Sequence, residues 1–163
     1  MANASRATPC GRTAADCSHH GLRLRTGYAL DIERRSGIGS SRERLIEAAY
    51  EALDGGDLGP FRALFDPDAQ WIGIPQGDDT PVCPDRATIV DRLEHHHSNG
   101  RRFELGKLIE EGDRFAVETT VLAPEWSGPV TFFKVFTFRP GSDIVVKMND
   151  CVDESYARQV LNS

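Results

Sequence analysis

A chain of 163 residues with 39% hydrophobic and 27% charged side chains has material for one buried core and one domain. No apolar run approaches the ~20 residues of a membrane span, which excludes a helical membrane protein and leads us to expect a cytoplasmic one. Residues 1–40 hold six Arg (Arg6, Arg12, Arg23, Arg25, Arg34 and Arg35) against Asp16, Asp31 and Glu33, a net of +3, so a total of −6 leaves −9 for the remainder. That acidic remainder excludes nucleic acid as a partner, because phosphate-backbone binding needs clustered Lys and Arg and only Arg101-Arg102 cluster there.

Residues 1–39 show no periodicity and are rich in Ala, Ser, Arg, Gly and Thr, ending in the run Ser36-Gly-Ile-Gly39; they read as a disordered tail. The tail is Arg-rich and acid-poor like a transit peptide, and an upstream extension from a misassigned start reads the same way. Cys10, Cys17, Cys83 and Cys151 read as reduced thiols, with no disulfide framework. Cys10, Cys17, His19 and His20 lack the tight paired spacing of a structural zinc site.

Order starts at Ser40, which can cap a helix while Glu43 reaches back, ahead of the stripe Leu45, Ile46, Ala49 and Leu53; Gly55-Gly56 stops it. A second short helix is expected from Asp57, with Pro60 in its first turn, burying Phe61, Leu64 and Phe65 and ending at Asp66-Pro67. Residues 69–74 then read as a strand, and Gly77-Asp78-Asp79-Thr80 as a solvated loop. Pro84 opens a third helix with Ile89, Val90, Leu93 and either His96 or His97 on one face, closing at Asn99-Gly100.

From Phe103 the period switches to two. Residues 103–110, 114–122, 130–139 and 144–151 form a predicted antiparallel meander, broken at Glu111-Gly112-Asp113, Pro124 to Gly128 and Pro140-Gly141-Ser142. In 130–138, Phe133 and Val135 alternate with Phe132, Phe136 and Phe138, so both faces are apolar. One face should meet the helices and the other a second subunit, which makes a homodimer the expectation.

This order of elements, with Phe61-Arg-Ala-Leu-Phe-Asp-Pro-Asp-Ala-Gln-Trp71 after the first helix and Ile144-Val145-Val-Lys-Met-Asn-Asp150-Cys151-Val-Asp153 at the end, resembles the nuclear transport factor 2-like superfamily and, within it, the SnoaL-like branch. The resemblance covers residues 41–161, with Cys151 where the pattern has an aromatic. It implies an α+β cone-shaped fold over 40–163, three N-terminal helices packed on a curved, mostly antiparallel sheet around a hydrophobic pocket for a small apolar or polyketide-like ligand. It implies catalytic isomerases and cyclases and non-catalytic binding or dimerisation modules alike.

Asp150 is the first catalytic candidate, because alternation sets it on one face with Met148 and Val146, and apolar surroundings disfavour the charged form of a carboxylate. In the resembling isomerases and cyclases such an Asp abstracts a proton beside a carbonyl, without a cofactor, while a donor steadies the enolate. His97 or His96, Trp71 and Thr131 are the candidate donors, with Phe133, Met148 and Tyr50 as lining. Asp150 also reads as a structural acid that caps or pairs with Lys or Arg at the rim, and the His95-His96-His97 run as a favourable helix C-terminus. Epoxide hydrolases of the superfamily carry an Arg and an Asp where this chain has Val117-Glu118-Thr119, so that activity is not expected. Cys83 and Cys151 read as packed thiols. No phosphate loop, nucleophile elbow or metal motif is present in the sequence, and neither a metal nor a nucleotide cofactor is expected.

Overall fold

The computed structural model describes residues 40–74 and 80–163; the expected tail over 1–39 and most of the loop at 77–80 lie outside the described residues. Helix α1 (Ser41–Asp54) shows half of the expected capping box: the Ser40 hydroxyl accepts a hydrogen bond from the Glu43 amide at 3.3 Å, without the return bond to the Glu43 side chain. The chain leaves it through Gly56, whose φ of 80° suits glycine. Its buried stripe is Ile46, Ala49, Tyr50 and Leu53. Leu45, expected in that stripe, is exposed; the helix is rotated so that the large Tyr50 ring packs edge-on against Phe61 at 5.1 Å.

Helix α2 (Gly59–Leu64) buries Phe61 and Leu64 and stops one residue short of expectation, because Phe65 already takes up extended backbone. Strand β1 (Phe65–Ile72) therefore begins before Pro67, not after it. A proline is tolerated there because the pairing of β1 with its neighbour skips from Phe65 to Gln70, so no ladder bond is asked of it. A three-residue strand β2 (Pro81–Cys83), too short to show a period, pairs antiparallel with β1. Helix α3 (Arg86–Ser98) opens on a reciprocal capping box between Asp85 and Thr88 and buries Ile89, Val90 and Leu93.

The meander follows as β3 (Arg102–Glu111), β4 (Arg114–Leu122), β5 (Val130–Phe138) and β6 (Val145–Cys151). The sheet order is β2-β1-β6-β5-β4-β3, with β1 parallel to β6 and every other pairing antiparallel. The sheet is thus mixed and mostly antiparallel, and the fold class is α+β. A bulge between Leu105 and Leu108 breaks the β3–β4 register, where the Lys107 amide donates to the Glu118 carboxylate at 3.1 Å.

A fourth helix, α4 (Glu154–Leu161), was not among the expected elements. Asp153 caps its start, and the Arg114 guanidinium donates to the carbonyls of Val160 and Leu161 at its end, at 2.6 and 3.1 Å. Helices α1 to α3 cover one side of the sheet, over a core that includes Phe61, Phe65, Trp71, Phe115, Phe136 and Met148. On the other side α4 lies over Ala116, Phe133, Val135 and Cys151, so this chain itself covers part of the face offered above to a second subunit. Among the described residues no helix is long and apolar enough to cross a membrane.

The rotation of α1 has a measurable consequence. Ile46→Ala should destabilise the protein by about 2–5 kcal/mol in urea unfolding, whereas Leu45→Ala should change stability by no more than about 0.5 kcal/mol. Equal losses at both positions would refute this placement of the helix.

Candidate functional site

Alternation along β5 sends Phe132, Lys134, Phe136 and Phe138 to the side that α1 to α3 cover, and Phe133 and Val135 to the α4 side. Lys134 is only 1% exposed. Directly across from it on β6 stands Asp150, and the Lys134 ammonium donates to Asp150 Oδ1 at 2.5 Å. The other carboxylate oxygen, Oδ2, accepts a hydrogen bond from Trp71 Nε1 at 2.9 Å. Trp71 is within reach because β1 runs parallel beside β6 with Trp71 in register with Met148. The ammonium also sits 4.1 Å from the centroid of the Trp71 ring and 5.1 Å from that of Phe132.

Burial makes the Lys134 ammonium lose its proton more readily than a lysine in water, and the Asp150 carboxylate opposes that shift without cancelling it. The Tyr50 phenol is pushed up, first by burial and then by the Asp150 charge, so it stays protonated. Helix α3 brings Arg92 over the Trp71 ring, at 5.2 Å from its centroid, and beside the buried Cys83 sulfur. Burial raises the Cys83 thiol and the neighbouring Arg92 cation counters it. Cys151 is pushed up to about 12 by burial and by Asp150, and is a protonated core thiol.

His96 meets Trp71 edge-on with centroids 6.3 Å apart. The Arg101 guanidinium, which can only donate, donates to His96 Nδ1 at 2.9 Å, so the assigned proton of the neutral ring is on Nε2. Burial and then the cations Arg101, Arg92 and Lys134 lower its pKa to about 4. His97 lies elsewhere, its Nε2 against the turn at Gly56.

The structure therefore gathers Asp150, Trp71 and His96 with the buried Met148 and Tyr50 nearby on one side of the sheet. It does not bring His97, Thr131 or Phe133 to them. Phe133 packs under α4, and Thr131 is exposed on that same side, its hydroxyl 2.8 Å from that of Thr120. The period of two that set Phe133 against Phe132 already separated these residues; which set faced Asp150 depended on the strand register. Sequence reasoning missed Lys134 and Arg92. A lone lysine in the middle of Val130-Thr-Phe-Phe-Lys-Val-Phe-Thr-Phe138, apolar on both faces, was the available signal for the first. Among the described residues no group of three His, Cys, Asp or Glu side chains is placed to hold a metal ion. A surface groove of about 280 Å³ lies where β3 starts beside the β4–β5 connection, lined by residues including Arg102, Leu122, Pro124 and Trp126; Arg101, which donates to His96, also stacks on Trp126.

The family model described as a SnoaL-like domain matches residues 46–146, and the chain belongs to that family. No curated protein matches it. Among solved structures it is similar to an NTF2-like protein of unknown function from Burkholderia pseudomallei, with 21% identity over 77% of this chain and 100% of that one, and a TM-score of 0.57. It is also similar to IdmH, a proposed polyketide cyclase from Streptomyces antibioticus, with 21% identity over 76% of this chain and 100% of IdmH, at a TM-score of 0.55. TerC co-crystallized with polyporic acid is a third such structure, 22% identical over 76% of this chain and 100% of TerC, at a TM-score of 0.55. At these identities the likeness is one of fold.

Two predictions follow from the charges. Because the folded pKa of His96 lies below its usual 6.5, the stability that its neutral form contributes is fully present above pH 6.5 and is lost as pH falls towards about 4. Wild-type stability should decline by about 1–2 kcal/mol over that window after allowance for a half-exposed ring, and His96→Gln should flatten the decline. An unchanged slope in the variant would count against the neutral ring.

Lys134→Met or Asp150→Leu alone strands a buried charge and should cost about 3–5 kcal/mol. The double variant Lys134→Met/Asp150→Leu should recover most of that loss in a denaturant cycle; additive losses would show that the two side chains are not coupled.

Proposed function

We propose that this SnoaL-like chain binds a small, largely apolar, carbonyl-bearing molecule of cyclic or polyketide-like type, with Lys134, Asp150 and Trp71 at the polar end of its site. The observation that carries this reading is a buried ion pair, its second carboxylate oxygen held by the Trp71 N–H and its ammonium laid against the indole, inside an apolar layer. Well-packed apolar residues of the same volume often serve stability as well as a buried ion pair does, so the charges find their use in recognition. Asp150 and His96 keep partial access to solvent and Arg92 is exposed beside them, which leaves this side of the pair open to a ligand. IdmH as a proposed polyketide cyclase and TerC with polyporic acid support a ligand of this class.

Binding stands ahead of catalysis for a chemical reason. Lys134 and Trp71 each hold one oxygen of Asp150 by a hydrogen bond, so the carboxylate is already engaged within the protein and has fewer lone pairs to offer a substrate proton. The second reading is cofactor-free proton transfer in an isomerase or cyclase. It draws on the lone-pair positions these two donors leave on Asp150 and on a Lys134 ammonium beside a developing enolate oxygen. Association of two copies through the sheet belongs to either reading, on the α4 side where Thr120 and Thr131 stay outside the apolar cluster.

One screen tests both. Wild-type protein and the Lys134→Met/Asp150→Leu variant are heated with steroid ketones, simple cyclic ketones and polyporic acid. A concentration-dependent rise in Tm for the wild type and none for the double variant is expected, and no shift with any compound would sink the site. A bound ketone is then incubated in deuterated water: wild-type-dependent exchange of its α-hydrogens supports proton transfer, and binding without exchange supports the module.

A further inference from the structure

The charges around Trp71 do not balance. Arg101 is bound to Glu125, and Lys134 is spent on Asp150. Arg92 has no carboxylate within ion-pair distance among the described residues, although its neighbours Asp91 and Glu94 are acids. The helix explains this: residues one turn away share its face, and at three and four positions from Arg92 stand Ile89, Thr88, His95 and His96, none of them acidic. The guanidinium is nonetheless held in place, over the Trp71 ring and beside the Cys83 sulfur. With those two ion pairs cancelled, the Arg92 charge is the one left over among the groups gathered around Trp71.

A positioned arginine with unspent donors suits a planar anion, because its fork of N–H groups meets two oxygens at once. The adjoining side chains Trp71, Phe132 and Phe103 are aromatic and suit an apolar ring system. Resting on the reading above that a small molecule binds beside Lys134, Asp150 and Trp71, we infer that this ligand is an organic anion, an aromatic or cyclic carboxylate or an ionised acidic enol, and that Arg92 takes its charged oxygens. Arg92 is then the residue that selects the acid over its neutral derivatives.

A matched pair of probes tests this, 1-hydroxy-2-naphthoic acid and its methyl ester, titrated by calorimetry against the full chain at low ionic strength. The wild type should bind the acid about tenfold or more tighter than the ester, the worth of one charge-assisted contact. Arg92→Gln should remove that preference by weakening the acid alone, while Arg102→Gln, at the groove beside Trp126, leaves both affinities as they were. An ester that binds as tightly as the acid, or an acid whose affinity survives Arg92→Gln, overturns the inference and leaves the small-molecule site standing. Failure of both probes to bind the wild type removes the inference together with the site.

Discussion

The ion pair between Lys134 and Asp150 constrains more of this molecule than any other contact. An ammonium that is 1% exposed cannot be left without a counter-ion, since stranding it costs several kcal/mol. Three features of the fold meet that demand together. The β5–β6 register sets the two side chains opposite each other, the parallel placement of β1 brings the Trp71 N–H to the second carboxylate oxygen, and the Trp71 and Phe132 rings lie close to the cation. A slip of one residue between β5 and β6 turns Lys134 or Asp150 to the other face and strands both charges, so the pair also enforces the register.

The same alternation explains why the sheet needs helices on both sides. β5 has Phe132, Phe136 and Phe138 on one side and Phe133 and Val135 on the other, and apolar surface of that extent must be covered. Helices α1 to α3 do this on one side. On the other the chain returns as α4 after Asp153 and is fixed by Arg114, whose guanidinium satisfies carbonyls that a helix C-terminus leaves without partners. The polar cluster lies on the side of the three helices, where α3 adds Arg92 and His96 to what the strands supply.

Electrostatically the cluster is a carboxylate surrounded by cations. Lys134 neutralises Asp150, Arg101 neutralises Glu125, and what remains is the charge of Arg92 beside an imidazole kept neutral by burial and by those cations. Such an arrangement is suited to holding negative oxygen, whether on a bound acid or on an enolate. The SnoaL-like fold supplies the scaffold; the sign of the charge at the site is a property of these residues.

Local physics made much of this legible in the sequence. The Ser40 cap, the Gly55-Gly56 stop and the period of two from Phe103 each act within a few residues, and those elements stand close to where they were expected. The pattern around Trp71 and Asp150 pointed to the family and to two members of the cluster. Other features were beyond local reading. β2 is too short to carry a period, β1 crosses Pro67 only because its neighbour asks for no bond there, and α1 turns Leu45 out because Tyr50 has Phe61 and Phe103 to pack against. Lys134 and Arg92 show the division most plainly. A lysine within an apolar strand and an arginine on a polar helix face are visible in one dimension, but their partners stand at Asp150 and Trp71, and only the pairing of β5, β6 and β1 under α3 brings those distant positions within contact. The sequence by itself determined the periods, the caps and the two-sided sheet, because these rest on neighbours along the chain. The tertiary structure alone decided which side chains share the site, because that rests on register between strands far apart in sequence.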